Sequence, residues 1–193
     1  MAGRRLTADV DGSFVVFVIG MRVNAYWKLH RWLPVALAMP RMLRELEADP
    51  ESGLLGSEGM FSPPRTALLV QYWESVDALE EYARDPASEH LPAWVEYNRD
   101  TAGTGAVGVF HETYVVDDDG HHESVYVDMP AFGLARATGV RPADGARATA
   151  TGRLGRTDCE DAPVTPEGDV VAPGGDAAGR DRDGERGSSA PDR

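Results

Sequence analysis

Five histidines supply the proton carriers that a site working at neutral pH would draw on, since an unperturbed imidazole titrates at about 6.5. His90 shares a helical side with Leu91 and Trp94, so its ring either projects into the space between helices and a sheet or simply bonds a backbone carbonyl. His111 alternates with Val109 and Thr113 on one side of a strand-like run, while Phe110, Glu112 and Tyr114 take the other. Either side could line a cavity, a core or a subunit contact. The segment holding Arg22, Asn24, Tyr26, Trp27, Lys28, His30, Arg31 and Trp32 is denser in aromatic, basic and amide groups than any other stretch. Such side chains bind a planar or anionic ligand by stacking and charge-assisted hydrogen bonds, or wedge a loop onto a core. His121-His122-Glu123 has metal-ligating types, but neighbours on a strand point to opposite faces, so a solvated turn is the expectation and no metal site is assigned. There is no Gly-rich phosphate loop, no Gly-x-Ser-x-Gly elbow and no His-Glu-x-x-His pair, which disfavours dinucleotide enzymes, kinases and hydrolases.

These residues must be positioned by the elements around them. Residues 13–21 form a short β-branched and aromatic run after the turn signal Asp11-Gly12, and read as a strand apolar on both faces. Met39, Met42, Leu43 and Leu46 recur at helical spacing within residues 34–49, where Pro40 predicts that the regular helix begins only near it, after a turn at 34–38. Residues 54–61 and 65–73 read as a hairpin around Ser62-Pro63-Pro64. Ser75 then caps a helix with Val76, Leu79, Tyr82 and Ala83 on one face, Asp85-Pro86 breaks it, and residues 88–98 form a second helical piece. Residues 105–116 make a strand, Asp119-Gly120 a turn, and residues 123–129 the returning strand, with 130–134 free to lie as an arm on a neighbour. The order is β-α-β-β-α-β plus one extra C-terminal strand, an α+β, ferredoxin-like antiparallel sheet with its helices on one side. Because the first strand is apolar on both sides, the uncovered face should pack against a second copy, giving a homodimer.

The chain has 193 residues and a formal charge of -13, which repels nucleic acid and anionic membrane surfaces. Its longest apolar run, 14–21, is far short of a membrane span, and Asp9 and Asp11 interrupt the faint signal-peptide pattern after Arg4-Arg5, so a cytoplasmic protein is expected. After Leu154 there is no Leu, Ile, Met, Phe, Trp or Tyr. Residues 156–193 therefore read as a disordered acidic tail, with the single Cys159 inside it, and residues 1–155 as the folded domain. That domain holds 14 basic and 22 acidic side chains, so it is acidic in its own right.

Tyr72-Trp73-Glu74-Ser75-Val76-Asp77-Ala78-Leu79-Glu80-Glu81-Tyr82, followed by Ser88-Glu89-His90-Leu91-Pro92-Ala93-Trp94, resembles the second-helix signature of the antibiotic-biosynthesis monooxygenase superfamily of dimeric α+β barrels. Phe14 to Asn24, Met39-Pro40-Arg41-Met42-Leu43 and His111-Glu112-Thr113-Tyr114 resemble, more closely, a former domain-of-unknown-function family that takes in the fumagillin-biosynthesis-type monooxygenase. The likeness covers residues 7–154. It implies a monooxygenase of secondary metabolism that oxidises a small aromatic or polyketide-like substrate with molecular oxygen, without metal or flavin. Such chemistry needs a base, donors for the developing anion and a pocket that sheds water. On that implication the base is His90 or His111, the donors are Arg22, Asn24 and Trp27, and the walls are Phe17, Tyr72, Trp94 and Tyr114. Aldoxime dehydratases and chlorite dismutases, relatives with the same barrel, hold haem through one histidine. His90 or His30, with Arg22 or Arg31 at the propionates, would be the equivalent here. A ligand-binding module without catalysis is the other alternative.

Overall fold

The computed structural model describes residues 5–155. The tail expected at 156–193, with Cys159, lies outside the described residues. A short strand, β1 (Arg5–Ala8), leads into β2 (Phe14–Val23), α1 (Leu29–Ala48), β3 (Leu54–Ser62), β4 (Thr66–Trp73), α2 (Val76–Arg84), α3 (His90–Asp100) and β5 (Val107–Val116). β2 to β5 form an antiparallel sheet in the order β3-β4-β2-β5, the ferredoxin-like arrangement. Val15 and Phe17 of β2 pack toward the helices, Val15 being buried with Leu46 and Trp73. Their neighbours Phe14 and Val16 point to the opposite face.

The helices sit loosely on this sheet. Ser75 caps α2 as expected, its hydroxyl accepting from the Ala78 N–H at 3.1 Å. Neither α2 nor α3 buries any residue fully, and α1 buries only Ala38 and Leu46. α1 also corrects the expectation at Pro40: the helix is continuous for 20 residues from Leu29 and contains both Pro34 and Pro40. Each proline lacks the N–H that would bond four residues back. Pro34, Val35, Ala38, Met39 and Met42 nevertheless all face the space above the sheet, and covering that stripe outweighs the missing bonds.

A second correction concerns the C-terminal part. Residues 123–129 do not return along β5. Only β6 (Tyr126–Val127) is a strand, and it pairs with β1 in a separate sheet ordered β6-β1-β7, where β7 is Val140–Pro142. The turn does form, the Gly120 N–H donating to Asp117 O at 2.7 Å, but Asp128 takes φ +53° and ends the extended run. Of the segment expected as an arm, residues 130–132 are exposed, while Gly133 and Leu134 are buried in this chain. The segment leads into α4 (Leu134–Thr138), whose Leu134 and Ala135 are buried with Ala8 and Phe14 against this chain's own sheet. Glu58 of β3 holds the cover down, accepting from the Gly133 N–H at 2.9 Å and pairing with Arg136 at 3.2 Å. The apolar second face of β2 is thus partly satisfied within one chain. Val18, Leu68 and Val70 remain only half-buried there, and Phe110 and Met60 are exposed.

Gly133 is the hinge of that cover. It takes φ +57°, and a Cβ there would lie 2.9 Å from the Tyr72 hydroxyl oxygen. Gly133→Ala is therefore expected to lower stability by about 1–3 kcal/mol, through strain and displacement of Tyr72. An unchanged urea midpoint would disprove it.

His122 lies against the same layer rather than in a solvated turn, its ring edge-on to Phe14 at 5.1 Å. Among the described residues no cluster of His, Cys, Asp and Glu could hold a metal ion. Burial, and secondarily Arg141, holds the His122 imidazole below its usual 6.5. The unfolded chain then binds this proton more readily than the folded one, so stability is present above pH 6.5 and is lost as pH falls below it. His122→Phe should flatten that part of the profile in thermal melts between pH 7 and 5, and a melt profile of the variant as steep as the native one would contradict the assignment.

Candidate active site

Loose seating of α1, α2 and α3 leaves a cavity of about 590 Å³ between the helices and the sheet, within the range of ligand pockets. Phe17 and Ile19 of β2 and Val109, His111 and Thr113 of β5 make its floor, α1 one wall, and α2 with α3 the other. Most of the lining is apolar, with His30, His90, His111, Tyr97 and three carboxylates, Glu80, Glu96 and Asp100, as its titratable groups.

His90 is the most firmly oriented of these. Its Nδ1 lies 3.0 Å from Ala83 O. A carbonyl only accepts, so Nδ1 carries the proton and donates, leaving Nε2 with a free lone pair in the neutral ring. The loop before His90 is pinned twice. The buried Ser88 hydroxyl lies 3.1 Å from Tyr82 O and 2.8 Å from Asp85 O. Glu45 of α1 accepts from the Tyr82 hydroxyl at 2.8 Å and from the Glu89 N–H at 2.9 Å. Burial first, then the bond to Glu45, raises the Tyr82 pKa, so this hydroxyl is a permanent donor. His111 is held more lightly, by a tilted contact with Phe17 at 5.6 Å between ring centroids. On α3, Trp94 stacks on Tyr97 at 5.5 Å, so aromatic pairs stand on both the helix side and the sheet side of the cavity.

Of the residues singled out from the sequence, Phe17, His30, His90, Trp94 and His111 come together in this cavity. The others lie elsewhere. Register sets Val16 opposite Tyr72 and Tyr114, which places both tyrosines on the face away from the helices. There Tyr72 packs below Gly133, and the Tyr114 hydroxyl donates to Glu112 at 2.5 Å. Arg22 is on that face too, opposite Thr66 and Gly108, while Asn24 is exposed beyond the strand and Trp27 is 80% exposed. None of Arg22, Asn24 and Trp27 lines the cavity, because α1 starts immediately afterwards and carries the chain over the sheet. Sequence reasoning passed over Glu80, Glu96, Tyr97, Asp100 and Thr113. Only Thr113, sharing the alternation of His111, carried a signal.

The fold and cavity place the chain among ferredoxin-like α+β proteins with a ligand space under the helices. Residues 14–134 match the family model of the monooxygenase af470-like proteins, and the chain belongs to that family. Monooxygenase af470 of Aspergillus fumigatus is 30% identical over 141 residues, spanning 65% of this chain and 46% of that protein, so the chain covers less than half the length of this curated relative. Among solved structures, an aldoxime dehydratase superposes over 73% of this chain and 40% of its own with a TM-score of 0.51 and 15% identity, a likeness of fold. SnoaB, a cofactor-independent oxygenase from Streptomyces nogalater, superposes over 53% of this chain and 91% of its own with a TM-score of 0.39 and 13% identity.

Proposed function

We propose that this domain is a monooxygenase that deprotonates a small aromatic or polyketide-like substrate in the helix-side cavity and lets the resulting anion react with molecular oxygen, without metal or flavin. The observation that carries this is the fixed Nε2 of His90 in a mostly apolar cavity. A neutral imidazole there takes a proton from an activated methylene or hydroxyl. The apolar lining keeps the carbanion away from water, and His111 serves as the donor to the oxygen on which charge develops. The anion passes an electron to oxygen, the pair recombines to a peroxide, and loss of water leaves a ketone: one methylene and one O₂ become one carbonyl and one water. His90 returns its proton to the departing oxygen.

Haem does not fit these residues. His90 has a free nitrogen that could ligate iron, but the lining carries three carboxylates, Glu80, Glu96 and Asp100, and no Lys or Arg that would pair the propionates. Arg22 lies on the other face of the sheet. Among the described residues no helix is long and apolar enough to cross a membrane, and we take the protein as a cytoplasmic homodimer joined through the half-covered sheet face around Val18, Val70 and Phe110.

An oxygen electrode with anthrone, whose methylene gives a stabilised anion, tests the proposal. One O₂ should be consumed for each anthraquinone formed. Tight binding of the probe with no uptake above the buffer rate would make the protein a binding module instead.

A further inference from the structure

The charges of the cavity are one-sided. Glu80, Glu96 and Asp100 line it, and none of the lining residues is Lys or Arg. Glu80 is paired with Arg84 at 2.7 Å and Asp100 with Arg99 at 2.7 Å, but those arginines are 75% and 68% exposed and neither lines the cavity, whereas both carboxylates do. The Arg99 hydrogen bond holds the Asp100 carboxyl below its usual range, so it is ionised at neutral pH. A guest anion would exchange its hydration for an apolar lining and for carboxylates of its own sign, with imidazoles but no Lys or Arg in the lining to pair it. A neutral ring meets no such cost, and finds flat partners in Trp94 with Tyr97 and in Phe17 with His111. A ligand cation gains from both the carboxylates and the aromatic faces.

We propose that the cavity selects its ligand by charge: it admits uncharged or cationic ring compounds whose acidic group ionises only after binding, and turns away carboxylates, phosphates, sulfates and coenzyme A thioesters. This deepens the proposed function and rests on the cavity being the substrate site. It implies that the reaction supplying the substrate releases it free and uncharged.

Calorimetric titration of the full chain at pH 7.5 with 1-naphthol, 1-naphthylmethylamine and 1-naphthoate tests it, since the three share a ring system and differ in charge. The naphthol and the amine should bind about tenfold or more tightly than the naphthoate. Glu96→Gln should narrow the ratio between naphthoate and naphthol, and Trp94→Ala should weaken the naphthol and the amine, locating them in the cavity. Naphthoate binding as tightly as naphthol would overturn the charge selection while leaving the cavity as the site. Failure of all three to bind, or binding indifferent to Trp94→Ala, would remove the cavity as a ring-binding site and the proposed function with it.

Discussion

Replacing His90 by alanine lowers the rate of oxygen uptake with anthrone by about 10²–10⁴-fold, the usual worth of a positioned general base, and leaves the melting temperature close to that of the native chain. The two halves of this expectation have separate causes. On the proposed mechanism chemistry is lost because the nitrogen that takes the proton is gone; with Nδ1 bonded to Ala83 O, that nitrogen is Nε2. Stability is kept because the start of α3 is held by other groups, the Ser88 hydroxyl and the Glu45 carboxylate, which do not use the imidazole. His90→Gln should be nearly as slow as the alanine variant, since an amide can accept a hydrogen bond but is no base at neutral pH. His111→Ala removes a donor to the developing oxyanion rather than the base, so a smaller loss of about 10²-fold is expected. In the His90 variant, proton removal becomes the slow step and a deuterated methylene should show a larger isotope effect. Undiminished uptake in a chain lacking both imidazoles would end the assignment of either as the base.

How much of this site could be read from residue order is clearest in the strands. Alternation shows at once that His111, Val109 and Thr113 share a side and that Tyr114 takes the other. It does not show which side carries the helices. Pairing of Val16 with both Tyr72 and Tyr114 decides that, and pairing between distant strands has no local signature. Tyr72 and Tyr114 therefore looked as eligible as Phe17. Elements governed by short-range chemistry were legible: the Ser75 cap, the hairpin between β3 and β4 and the break at Asp85-Pro86 all stand where the local residues put them. α1 was not, since its prolines argue locally for a break and only the apolar stripe over the sheet keeps the helix whole. The small sheet of β1, β6 and β7 has strands of four, two and three residues, too short for any period to emerge. Its existence changes the dimer expectation, because α4 and β1 cover part of a face that the strand pattern of β2 assigns wholly to a second copy.

Trp73→Ala is expected to cost about 3–5 kcal/mol, the range for deleting a large aromatic from a packed core, and to be the most destabilising single change in the domain. Trp73 is 1% exposed and packs with Val15 and Leu46, joining the sheet to α1. Its ring also lies 6.1 Å from that of Tyr82, which ties it to α2. Its indole N–H donates to Gln71 Oε1 at 3.2 Å, and Gln71 is itself only 4% exposed. Truncation therefore opens a cavity and also leaves a buried amide oxygen without its donor, an added penalty of about 1–3 kcal/mol if no water replaces it. Trp73→Phe keeps most of the volume and loses the donor, so it should fall between the native chain and the alanine variant. Against the roughly 5–15 kcal/mol that holds a domain of this size together, the alanine variant stands near the edge of folding. Urea unfolding followed by circular dichroism measures the difference, and a loss below about 1 kcal/mol, the mean effect of an unremarkable substitution, would show that the sheet and α1 are not joined through this residue. Because Tyr82 leads through Glu45 and Glu89 to His90, the variant should also lose oxygen uptake at temperatures where it is still folded, which separates a displaced base from a missing one.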